Sequence, residues 1–197
     1  DPKSIPLLRR KISLLMARAG FPPSSHAGKN LFSILETFPR DELFQIGDDE
    51  LFDTVMGILR LGERARTRMF VRRDVYARFY SCLIYLPRES YNTETRLKLQ
   101  EILKRAFNGT SAEFNVQLSE SALARVHMLI RTTPGAVPLI DIKALEAEVI
   151  FALRRWEDGV FTLVSQSPDL GEDVANQARR EFVLPFPAAY REDVSAA

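Results

Sequence analysis

The stretch Arg78 to Leu86 constrains the fold most, because it is apolar on both sides of an extended backbone. Successive strand residues point to opposite faces, so Phe79, Leu83 and Tyr85 share one face and Tyr80, Cys82, Ile84 and Leu86 the other. Such a strand belongs in the middle of a sheet covered on both faces. The chain has the material for that cover. Of its 197 residues 46% are hydrophobic and 27% charged, a globular balance that excludes a disordered, collagen-like or disulfide-stapled chain. Burying a few large side chains on the second face is worth roughly 1.5–3 kcal/mol each, enough to hold a neighbouring module in place. N-terminal helices, the tail or a partner sheet are the candidates for that module.

The segments around this strand set the architecture. Arg68 to Arg73 is another aromatic and β-branched run, and the short Asp74 to Ala77 link makes the two a hairpin. Asn92 or Thr93 caps a helix striped with Leu99, Ile102, Leu103, Ala106 and Phe107, closed by Asn108-Gly109. Phe114, Val116 and Leu118 alternate with Glu113, Asn115 and Gln117, the mark of a half-buried strand. Val126, Met128 and Ile130 repeat the pattern after a turn at Ser119 to Ser121, and both apolar faces are expected under two long helices. Asp141 caps the second, with Ile142, Leu145, Val149, Leu153 and Trp156 inward. A ferredoxin-like fold runs βαββαβ. Here a strand precedes the first and the final one is missing, so the ββαββα order predicts a permuted, antiparallel four-stranded α+β sheet with two helices. Any other α+β sandwich is the alternative.

Before the sheet the sequence is helical. Ser4 is the expected cap of a helix with Pro6 in its first turn and Ile5, Leu8, Ile12, Leu15, Met16 and Ala19 along one stripe. Ser24 to Gly28 reads as loop, Leu31 to Phe38 as a short helix, and Asp41 to Phe44 as a turn. Asp48 is the expected cap for a helix carrying Leu51, Phe52, Val55, Ile58 and Leu59. The expected division is 1–66 helical, 67–158 α+β, and 159–197 a helical tail with a helix near Val174 to Phe182.

Few residues suggest chemistry. His26 and His127 are the only histidines, far apart and without ligand spacing, so no metal site is expected. His127, on a polar strand face, reads as a surface or interface residue. Cys82 reads as a packed thiol, and as the only cysteine it excludes an internal disulfide and suits a reducing compartment. No GxG occurs among nine glycines, so the dinucleotide fingerprint is missing. A net charge of +1 argues against a nucleic-acid partner, and no apolar run can span a bilayer. The expected location is therefore cytoplasmic. The chain opens on Asp1 and reads as a piece of something larger. Arg64, Arg66 and Arg68, with Arg72 and Arg73, form the densest cationic stretch. It is either an anion or carboxylate site or a solvated edge. Arg72, Arg73, Arg125 and His127 are the candidate effector or interface residues.

Five strings share a resemblance. They are Pro39-Arg-Asp-Glu-Leu-Phe-Gln45, Phe70-Val-Arg-Arg-Asp74, Ser81-Cys-Leu-Ile-Tyr-Leu-Pro-Arg-Glu89 with Tyr91-Asn-Thr93, Leu123-Ala-Arg-Val-His127, and Phe186-Pro-Ala-Ala-Tyr-Arg-Glu-Asp193. In this order the chain resembles the large bacterial NAD-specific glutamate dehydrogenases, over nearly its whole length. The resemblance implies an internal piece of the N-terminal half, which carries ACT-like regulatory domains. It further implies a parent enzyme that converts L-glutamate to 2-oxoglutarate and ammonia while reducing NAD. No catalytic, cofactor or metal residue falls in this piece, and NAD belongs to the parent. The implied partners are the other domains of the chain, further copies of the parent and an amino-acid effector. The implied role is a regulatory or scaffold module, with amino-acid sensing or oligomer assembly as alternatives.

Overall fold

The computed structural model describes residues 4–153 except 63, 65, 119–120, 134 and 136–137. The expected helix near Val174 to Phe182, the expected inward Trp156 and the tail string at Phe186 lie outside the described residues. The described residues up to 146 fall in one compact unit, and 147–153 lie outside it.

Four helices come first: α1 (Pro6–Ala19), α2 (His26–Thr37), α3 (Arg40–Gln45) and α4 (Asp48–Leu61). Leu8, Ile12 and Leu15 are the buried stripe of α1, and Gly20 ends it at φ +69°, a left-handed cap that suits glycine. The N-cap is Ile5 rather than Ser4, and its side chain makes no capping bond. The Ser24 to Gly28 segment is not all loop. Ser25 Oγ accepts the Gly28 N–H at 3.0 Å, so Ser25 caps α2, which starts at His26. A Cβ on Gly28 would sit 2.3 Å from the Pro22 carbonyl oxygen, so the turn needs glycine there. Asp48 is the first residue of α4 rather than its cap, which is Gly47. Asp48, Asp49 and Glu50 instead place negative charge on the helix's first turn. Lys11 Nζ donates to the Leu43 carbonyl at 3.1 Å and to that of Ile46, tying α1 to the end of α3.

The sheet comprises β1 (Arg68–Arg73), β2 (Phe79–Pro87), β3 (Gly109–Gln117) and β4 (Leu123–Thr132), with α5 (Thr93–Ala106) before β3 and α6 (Ile142–Ala152) after β4. Asn92 Oδ1 accepts the Thr95 N–H at 2.8 Å and caps α5, and Asp141 Oδ1 does the same for α6. The spatial order is β1-β2-β4-β3 and every pairing is antiparallel. Moving the last strand of a 4-1-3-2 ferredoxin-like sheet to the front yields this order, so the permutation is present. β2 is central, with Arg68 opposite Tyr85 on one side and Leu123 opposite Pro87 on the other.

Both faces of β2 are covered. Tyr80, Cys82, Ile84 and Leu86 lie opposite Ile130, Met128, Val126 and Ala124, all buried on the α5 side. Tyr80 stacks on Phe107 at the end of α5, with centroids 4.2 Å apart. On the other face Leu83 joins the core of the N-terminal helices, with Leu31, Leu35, Leu43, Leu51 and Val55. Phe70 and Tyr85 pack against that core edge-to-face. A Cβ on Gly57 would lie 2.6 Å from Phe70 Cε1, so the bare backbone of α4 is what lets it approach β1. The apolar face of β3 is not buried as expected. Phe114 remains 45% exposed and lies under the Arg96 guanidinium, 4.5 Å from the ring centroid. Alternation assigns a face but not how far the covering helix reaches across an edge strand.

Candidate functional site

A buried ion pair joins the helices to the sheet. Glu42 sits in the first turn of α3, followed by Leu43, and both are buried. Arg72 sits on the β1 face that looks toward these helices and is 6% exposed. Arg72 donates from Nε to Glu42 Oε2 and from Nη2 to Oε1, both at 2.8 Å. Nη2 also reaches Gln45 Oε1 at 3.3 Å, and the guanidinium lies 5.6 Å from the Phe79 centroid. The hydrogen bonds to Glu42 raise the Arg72 pKa further, so it is always charged. Burial with this bidentate geometry satisfies both ions.

His127 completes the network. Its Nε2 is 2.9 Å from Ser81 Oγ and 3.8 Å from Glu42 Oε1. Burial pushes the imidazole below its ordinary 6.5, against the pull of Glu42, so it is neutral at pH 7. Serine, histidine and an acid thus meet, but not as a nucleophilic triad. That chemistry uses one ring nitrogen for the serine and the opposite one for the carboxylate. Here both partners address Nε2, and Glu42 is already engaged by Arg72. Ser81 is itself buried. The arrangement orients and holds; it does not activate a nucleophile.

Beside this network a cleft of about 510 Å³ opens between α3 and the strands β3 and β4. Arg40 and Asp41 line the α3 side, Arg125 and His127 the β4 floor, and Asn115 the β3 side. Phe79 and Leu129 supply apolar surface. Arg131 donates from Nε to Glu113 Oε1 at 2.7 Å across the strand pair. Arg125 donates to Gln117 Oε1. It also hydrogen-bonds the Tyr85 hydroxyl, which burial holds above its usual pKa and therefore protonated.

The structure separates the four residues singled out from sequence. Arg72, Arg125 and His127 share the face turned toward the helices, while Arg73 pairs with Tyr80 on the other face and is exposed. His127, expected to be a surface or interface residue, has a side chain 13% exposed that lines the cleft, because α3 lies over the β4 face that alternation marks as polar. In the cationic stretch Arg64, Arg66, Arg68 and Arg73 are exposed, as on a solvated edge with local ion pairs, and Arg72 alone is buried. Arg72 is consumed by Glu42, and Arg68 by Glu146 at 3.3 Å. Cys82 is fully buried and its thiol is pushed far up by desolvation, as a packed core thiol should be. Glu42, Arg40 and Asp41 carry no local signal of their roles. They belong to the Pro39–Gln45 string, and only the folded chain brings Glu42 to a partner thirty residues away. Among the described residues no group of three or more His, Cys, Asp or Glu side chains could hold a metal ion.

Residues 68–157 match the family model described as Glutamate dehydrogenase, ACT2 domain, and residues 5–64 match Glutamate dehydrogenase, helical motif 1. The chain is 44% identical over 196 residues to the NAD-specific glutamate dehydrogenase of Halomonas elongata, covering 100% of this chain and 12% of that protein. It is 45% identical over 188 residues to that of Pseudomonas aeruginosa, covering 95% and 12%. It is 29% identical over 209 residues to that of Mycobacterium tuberculosis, covering 100% and 13%. The chain thus spans about an eighth of the length of these relatives. With helical motif 1 seated on the second face of the ACT2 sheet, the chain belongs to the glutamate dehydrogenase family of these models.

Proposed function

We propose that this chain is a non-catalytic regulatory and scaffold module of an NAD-specific glutamate dehydrogenase. The parent would oxidise L-glutamate with NAD and water to 2-oxoglutarate, ammonia and NADH. The module would comprise a helical segment over residues 1–66, an ACT-like domain over 67–158 and a connection over 159–197. One observation carries the reading: a common core and a buried Glu42–Arg72 pair lock helices and sheet together. That is the construction of a rigid spacer, and its serine–histidine–acid meeting at Ser81, His127 and Glu42 is wired to hold rather than to react. An assay of the isolated chain with L-glutamate and NAD should show no NADH formation; turnover would end the proposal. The parent's cofactor NAD would then be bound by parts of the enzyme outside this module.

Oligomer assembly is a second role with its own support. β3 pairs with β4 alone among the described strands, and Phe114 and Leu118 are about half exposed along it. An edge of that kind is a template for strand pairing. Sedimentation of the chain and of a Phe114→Lys variant tests it: self-association lost in the variant supports the role, and a monomer at all concentrations removes it. Among the described residues no helix is long and apolar enough to cross a membrane.

A further inference from the structure

We infer that the cleft between α3 and strands β3 and β4 is a binding site for a small organic carboxylate. The inference deepens the regulatory side of the proposed function and rests on it. Charge matching around the cleft singles out the ligand class. Glu42 is matched by Arg72, and Glu113 by Arg131. Arg125 has neutral partners, the Gln117 oxygen and the Tyr85 hydroxyl. The side chains of Arg40 and Asp41 make no hydrogen bond or ion pair with the described residues, though Asp41 faces the neutral His127, and both line the cleft. Two guanidinium groups therefore stand against one free carboxylate. A guanidinium presents parallel N–H donors that fit a carboxylate two-to-two.

The walls argue against a bare inorganic ion. Phe79 and Leu129 offer apolar surface beside the cations, which suits a carbon skeleton. The volume of about 510 Å³ is that of a small-molecule site. Asp41 is placed to receive an ammonium group if the ligand has one. The site takes Arg40 and Asp41 from the helices and Arg125 from the sheet, on the sheet face opposite α5. A ligand there would tighten the same junction that Glu42 and Arg72 hold, and so report its concentration to the module's rigidity.

Calorimetric titration of the 197-residue chain with glutarate, L-glutamate, L-leucine and sulfate tests the site. Glutarate or L-glutamate should bind, and Arg125→Gln should weaken the better of the two by about tenfold or more. Arg73→Gln, on the other face, should leave it unchanged. If Arg125→Gln lowers the unfolding midpoint, Arg40→Gln, at the exposed start of α3, serves as the second variant. A preference for L-glutamate over glutarate that Asp41→Asn abolishes assigns the ammonium to Asp41; equal binding supports a plain carboxylate. The inference is overturned if neither acid binds at about 10 mM, a concentration that would detect even millimolar affinity. It is also overturned if sulfate binds as well as the acids, or if both arginine variants bind like the parent chain. A failed titration with no NADH formed leaves the scaffold role standing, whereas turnover by the isolated chain removes that role whatever binds.

Discussion

Arg72 is the residue on which the junction turns. It and Glu42 are desolvated together, so removing one strands the other. Arg72→Met should destabilise the chain by about 3–5 kcal/mol, whereas the double replacement Glu42→Leu with Arg72→Met should recover most of that loss. Urea unfolding of the unaltered chain and these two variants measures the difference. His127 makes a prediction of opposite character. Its native pKa lies below the unfolded value, so the unfolded chain takes up the proton first as pH falls. Its stabilising contribution is complete above the unfolded value near 6.5 and is lost as pH drops toward the native pKa. His127→Gln should flatten the fall in stability just below pH 6.5, checked by unfolding at a series of pH values. At this scale the sequence is informative about Cys82, whose apolar neighbours on one strand announce a buried thiol. It is silent about Glu42, because an acid on a short helix looks solvated until a partner distant in sequence arrives beneath it.

Elements were more legible than residues. Strand alternation and the 3.6-residue stripe follow directly from which side chains are buried, and they place β2, β4, α1, α4 and α5 well. What they miss depends on neighbours. Ser25 caps α2 through one hydrogen bond that no periodicity encodes, and Phe114 is exposed because its strand is at the edge. Gly57 shows the same dependence. In an isolated helix, alanine there would gain about 1 kcal/mol. Against β1 the added methyl meets the Phe70 ring at 2.6 Å, and overpacking of this kind costs about 1–3 kcal/mol. Gly57→Ala should therefore lower stability on balance, and Phe70→Leu in the same chain should reverse the sign. Denaturation midpoints of the single and double variants decide it.

At the scale of the molecule, the doubly apolar β2 accounts for both the permuted sheet and the helical layer on its second face. The strand order was readable because a hairpin partner before β2 can occupy the slot of a missing last strand. The identity of the covering module was not, since the exposed face of a sheet does not specify whether helices, a tail or another chain will cover it. Helices and sheet should thus be interdependent. A chain beginning at residue 67 should expose Phe70, Leu83 and Tyr85, leave Arg72 unpaired, and aggregate, as light scattering would show. The most direct measurement is native-state hydrogen exchange on the intact chain. If helical motif and sheet share one core, the amides of Leu35 and Val55 will open with the same free energy and denaturant dependence as those of Ile84 and Val126. Helical amides that open independently, about 2 kcal/mol or more below the sheet, would contradict the account.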